Sequence, residues 1–121
     1  MLRQKKCAVG EYEKALEIFQ ILNTLEPGNS TYMKATAGAM QGMSRYFEAY
    51  MMFQASYALN QKPTNTDCLF YMAHCSIKQN KFAQAKKLLE AFLTSNSHPD
   101  LAKKAKLLLN GMNKKLDGAA S

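Results

Sequence analysis

Apolar positions recur along this chain at helical spacing, in three blocks that share one pattern. The first block runs Gly10-Glu11-Tyr12, then Ala15, Phe19, Leu22 and Pro27. The second runs Ser44-Arg45-Tyr46, then Ala49, Phe53 and Ser56. The third runs Asn80-Lys81-Phe82, then Ala85, Leu89 and Phe92. The aromatic residue returns after 34 and then 36 residues. Gly10, Ser44 and Asn80 each end one helix and admit a tight turn. The aromatic two positions on packs over that turn. Ala15, Ala49 and Ala85 are small where two helices approach closely. Phe19, Phe53 and Leu89 lie one turn later on the same face and fill the gap to the neighbour.

The pattern predicts an all-helical chain. Residues 1–9 read as the tail of a helix whose beginning is absent, because Met1 falls at about the sixth position of a 34-residue frame. Tyr12 to Leu25 is the second helix of that pair, and Glu26-Pro27-Gly28-Asn29 ends it with turn chemistry. Ser30 or Thr31 caps a helix to about Met43, and Tyr46 to Leu59 is its partner. Lys62-Pro63-Thr64-Asn65 forms a loop two residues longer than the usual junction. Thr66 or Asp67 caps a helix to about Gln79, followed by Phe82 to about Thr94. After Ser95-Asn96-Ser97-His98, Pro99 opens a last helix to about Leu116. Leu101, Ala105, Leu108 and Met112 lie on one face of it. The repeats are thus 1–29, 30–65 and 66–98 of a single domain, with a capping helix over 99–116 and a small polar tail at 117–121.

A repeat of this length, with Ala-x3-Phe in its second half, is the tetratricopeptide signature. The expected fold is a solenoid of about three helix pairs, the first incomplete, closed by the C-terminal helix. One pair cannot bury its apolar face alone, so pairs stack and leave a concave face. That face points to binding rather than catalysis, and no enzyme activity is expected. Neither His74 nor His98 stands in an activating spacing with Ser, Cys or Asp, and there is no Gly-rich phosphate loop.

Composition narrows the class further. The chain has 121 residues, 47% apolar and 21% charged, as in a soluble globular domain. No apolar stretch approaches the ~20 residues of a membrane span, and no apolar segment follows Met1-Leu2-Arg3-Gln4-Lys5-Lys6 to make a secretion signal. Three cysteines with no Cys-x2-Cys pair fit a reducing cytoplasm rather than a disulfide framework or a zinc site. Cys68, His74 and Cys75 lack a fourth ligand, so no metal or cofactor is expected. The net charge is +7, and residues 78–121 hold nine lysines against Glu90, Asp100 and Asp117. These lysines have no arginine cluster or interleaved aromatics beside them. They read as solvated helix faces rather than a nucleic-acid surface. Met33, Met40 and Met72 fall at core positions of the repeat.

In a stack of this kind the first helix of each pair lines the groove. The frame places Thr31, Lys34, Ala35, Gly38, Gln41 and Gly42 there in the second repeat. It places Asp67, Phe70, Tyr71, His74, Ile77 and Lys78 there in the third. Gln4 and Ala8 are the equivalents in the first. Ala35, Gly38 and Gly42 leave room for a ligand backbone, and Phe70, Tyr71 and Ile77 offer apolar pockets with a polar rim, which suits an extended peptide.

The middle of the chain also resembles one bacterial branch of these repeats. Pro27-Gly28-Asn29-Ser30-Thr31-Tyr32, Gly38-Ala39-Met40-Gln41-Gly42-Met43 and Tyr46-Phe47-Glu48-Ala49-Tyr50 look like the second repeat of class II type III secretion chaperones, the SycD/LcrH family. Tyr71-Met72-Ala73-His74-Cys75 resembles that family's next helix. The resemblance covers about residues 8–116. It implies a cytoplasmic chaperone that holds secreted hydrophobic translocator proteins in its groove before export. It carries over to Tyr32, Gly38, Gln41, Phe70, Tyr71 and His74 as groove positions. A homodimer is compatible with it, and membrane insertion is not expected. The alternative is a generic tetratricopeptide adaptor or assembly factor. This chain departs from the branch in being basic and in lacking an additional N-terminal helical segment.

Overall fold

A computed structural model describes the backbone of residues 2–120 and the side-chain surroundings of residues 10–114. Six helices follow one another: α1 (Leu2–Leu25), α2 (Ser30–Gly42), α3 (Tyr46–Leu59), α4 (Asp67–Lys78), α5 (Phe82–Ser95) and α6 (Pro99–Ala120). Each helix packs against the next, which is the arrangement of a solenoid. The fold is therefore the expected all-α stack.

The turns inside the second and third pairs show how the sequence enforces this. Ser44 and Asn80 adopt the left-handed conformation at φ 60° and 62°. Behind each, two reversed hydrogen bonds close the preceding helix. Arg45 N donates to Met40 O and Ser44 N to Gln41 O; Lys81 N donates to Ser76 O and Asn80 N to Ile77 O. This is the Schellman closure, repeated in both copies.

The first block departs from the expectation. Gly10 lies inside α1, which runs through it without a turn. Glycine permits the left-handed turn without compelling it. An uninterrupted helix keeps every i→i−4 bond that a turn would surrender. The first repeat is one long helix rather than a pair.

Three smaller corrections concern helix ends. Asn29, not Ser30 or Thr31, caps α2, its side chain accepting from Tyr32 N at 3.1 Å. Neither Thr66 nor Asp67 supplies a side-chain cap to α4. The longer junction there folds as a 3-10 turn over Pro63–Asn65. Within it the buried Asn65 donates to Asn60 O at 2.8 Å, and Thr66 Oγ1 donates to Pro63 O at 2.8 Å. The helix α6 continues to Ala120, past the tail expected from residue 117.

The core runs along the stack. Ala37, Ala49, Ala73, Ala85 and Ala105 are fully buried, with Phe53, Leu89 and Phe92 interleaved between them. Met72 is buried and Met33 and Met40 are half-buried, in line with packing roles. Asn23 Nδ2 donates to Thr36 Oγ1 at 2.9 Å, linking α1 to α2. At the other end, His98 stacks on Phe92 with ring centroids 6.0 Å apart, and its Nδ1 lies 3.0 Å from Ser97 Oγ. Ser97 in turn bonds to Thr66, tying the start of α4 to the α5–α6 junction.

Because Ala49 is wholly enclosed, Ala49→Leu has nowhere to place its added carbons. Overpacking of this kind costs about 1–3 kcal/mol. The expected result is a clear fall in melting temperature by circular dichroism. An unaltered melt would overturn the repeat register.

Candidate functional site

The first helices of the second and third pairs, α2 and α4, lie close enough for their side chains to meet in two places. Lys34 Nζ donates to Asp67 Oδ1 at 2.6 Å, with both side chains half-buried. Two helical turns on, Gln41 Nε2 lies 2.6 Å from His74 Nδ1. With the amide nitrogen as donor, His74 is the neutral ring that carries its proton on Nε2. The separation between partners is 33 residues in both cases. Two polar rungs in the same register thus cross the seam between the helices.

Tyr71 lies on α4 between Asp67 and His74. It is half-buried, stacks on Phe53 at 5.3 Å and meets Phe70 edge-on at 5.7 Å. Beyond His74, Tyr46 packs edge-on against the imidazole at 5.9 Å, and Lys78 sits 6.0 Å above the Tyr46 ring. Opposite, a side chain built on Gly38 would meet nothing within 4 Å. The space over Gly38 is therefore open, beside two rungs and an aromatic flank.

The expected groove residues divide on this geometry. Lys34, Gln41, Asp67, Tyr71 and His74 come together along the seam. Tyr32, Ala35, Gly38 and Ile77 are half-buried near it, while Thr31 and Lys78 are exposed. Gln4 and Ala8 lie outside the residues whose side chains are described.

Two expectations are corrected. Phe70 is only 9% exposed and packs at 5.7 Å from Phe92, so it is a core residue rather than an open groove anchor. Gly42 leaves no room for a ligand, because a methyl group there would run into the ring of Tyr12 from α1. Tyr46 was missed as a neighbour of His74. Its place over the repeat turn was legible, but that turn also brings it against the next repeat's first helix.

Burial sets the ionisation of the strip. Desolvation lowers the His74 pKa from 6.5, and nearby Lys78 lowers it further. Desolvation also raises the Tyr71 hydroxyl, helped by Asp67. The buried thiols are poor nucleophiles. Burial pushes Cys75 up to about 11 and raises Cys68 as well. Among the described residues no group of three His, Cys, Asp or Glu side chains could hold a metal ion.

A family profile described as tetratricopeptide repeat matches residues 41–109. No curated protein matches the chain in sequence. Among solved structures, the Sgt2 TPR domain from Aspergillus fumigatus superposes with a TM-score of 0.76, over 98% of this chain and 78% of that one. The two are 17% identical, so this likeness speaks for the fold alone.

Two measurements test the site as built. Phe70→Ala should cost about 3 kcal/mol through the cavity it leaves, seen as a lower denaturation midpoint; unchanged stability would return Phe70 to the groove surface. For His74, a depressed folded pKa means that the unfolded chain binds the extra proton more readily. Stability is then retained above about pH 6.5 and lost on acidification below it. Urea titrations at successive pH values should show this slope in the wild type and a shallower one in His74→Gln.

Proposed function

Because the chain belongs to the tetratricopeptide repeat family, we propose that it is a non-catalytic binding module whose α2–α4 face holds an extended segment of another protein. The observation that carries this reading is the open space over Gly38 beside the Tyr71 and His74 flank. An extended backbone could lie along that space, with apolar side chains against Tyr71 and Ile77. The Gln41–His74 and Lys34–Asp67 rungs offer polar atoms to its amides. Burying such anchors contributes about 25 cal/mol per Å2 of apolar surface. Ordering a flexible segment offsets part of this, so binding is reversible.

The finer reading names the occupant. The sequence resemblance over residues 27–50 and 71–75 supports a cytoplasmic chaperone of a type III secretion apparatus that keeps hydrophobic translocator proteins soluble before export. The second reading, a generic adaptor, is favoured by the family match itself, which is tied to no secretion apparatus. A carboxylate-clamping adaptor fits poorly, since Lys34 is engaged by Asp67.

The test is affinity capture from host cytoplasm with the wild type and Gly38→Trp. Nothing lies within 4 Å of a Cβ at Gly38, and removing a helical glycine favours the helix by up to about 1 kcal/mol, so the variant should remain folded. Secreted proteins with long apolar segments should co-purify with the wild type and be lost with Gly38→Trp. Folded cytoplasmic proteins in their place, equally lost, would establish the adaptor. Capture unaffected by Gly38→Trp would remove the groove from the function.

A further inference from the structure

Gln41 and His74 meet through one atom each, and each keeps a second polar atom. The bond between Gln41 Nε2 and His74 Nδ1 leaves Gln41 Oε1 as an acceptor and His74 Nε2–H as a donor. Both residues are half-buried rather than enclosed. Neither outer atom bonds to a described residue, and neither is a buried atom left without a partner; among the described residues that holds of Asn23 Oδ1 alone. The two outer atoms are therefore open to a ligand. Gln41 stands three residues after Gly38 on α2, and His74 three after Tyr71 on α4. The pair thus lies one turn along from the open space over Gly38.

An acceptor beside a donor matches one unit of an extended chain. The N–H and C=O of a single strand residue point to the same side, and in an antiparallel ladder the facing residue meets both. We propose that Gln41 and His74 together stand in for one residue of a neighbouring strand: Gln41 Oε1 accepts the main-chain N–H of a ligand residue, and His74 Nε2 donates to that residue's C=O. This deepens the groove reading given above and rests on it. The rung then recognises main chain whatever the side chain, and it fixes the register in which the flanking apolar side chains meet Tyr71. Water serves both atoms when the groove is empty, so the free protein is not strained. A carboxylate fits the rung poorly, because it has no N–H to give, and Lys34 nearby is held by Asp67.

The arrangement requires a neutral imidazole. A protonated His74 donates from both nitrogens, so the Gln41 amide must turn its oxygen to Nδ1. Its NH2 group then stands where the acceptor was, facing the ligand N–H. Tyr46 from α3 and Lys78 from α4 face the ring, and Gln41 from α2 is uncharged. Burial and Lys78 hold the ring neutral until the pH falls below 6.5. Binding is therefore present at neutral pH and lost on acidification.

The test is a titration of the isotopically labelled chain with N-acetyl-leucine N-methylamide, followed in nitrogen–proton NMR spectra. The comparison compound is its ester isostere, in which oxygen replaces the leucine N–H. At about pH 7.5 the amide should shift the Gln41 carboxamide, the His74 ring nitrogens and the Gly38 amide, and the ester should bind roughly tenfold more weakly. Between about pH 7.5 and about pH 5 the affinity for the amide should fall roughly tenfold. A His74→Gln variant, shown by circular dichroism to fold, should bind weakly with no pH dependence. Shifts at Gly38 and Tyr71 that leave Gln41 and His74 untouched would overturn the inference while the groove reading stands. Equal affinity for amide and ester, or a wild type indifferent to pH, would do the same. Shifts at none of these residues would overturn the groove reading with it.

Discussion

Close approach between successive helices at alanine is the constraint on which the rest of the molecule depends. Ala37, Ala49, Ala73, Ala85 and Ala105 have no accessible surface. Only a methyl group fits where neighbouring helices come nearest, and the larger Phe53, Leu89 and Phe92 fill the wider gaps alongside. Interdigitation of this kind fixes helix rotation as well as separation. It is why two polar pairs, Lys34 with Asp67 and Gln41 with His74, face each other at the same sequence distance. The seam is thus a consequence of core register.

The repeat made most of this legible. Ser44 and Asn80 could be read as turn formers because an aromatic and an alanine follow each at fixed offsets, and both take the left-handed backbone. Gly10 carries the same local signal yet stays helical. What distinguishes it is tertiary: at Ser44 and Asn80 the chain folds back on a helix it has just completed. Composition at the turn does not record that difference. Phe70 and Gly42 were misplaced for a related reason. A repeat frame specifies which way a residue points but not what arrives opposite. Phe92 closes over Phe70, and Tyr12, from the helix that failed to break, fills the space at Gly42.

The polar rungs also limit what can occupy the groove. Gln41 and His74 already satisfy each other, so a ligand need not supply a partner for them. Lowering of the His74 pKa by burial and by Lys78 keeps the ring neutral near neutral pH. Protonation would set two donors against each other at 2.6 Å unless the amide turned over. Along the strip Lys34 is balanced by Asp67, and the exposed Lys78 adds a cation at its end.

That pairing sets the seam apart from the rest of the surface. The seam presents paired charges, an uncharged imidazole and an aromatic flank, so binding there depends on shape and apolar burial and responds weakly to salt. Unbalanced charge sits elsewhere, chiefly in the lysines of α5 and α6. Contacts of that surface with an acidic partner would be strengthened by long-range attraction and weakened by salt. The net charge of +7 bears on the C-terminal helices and says little about what the concave face recognises.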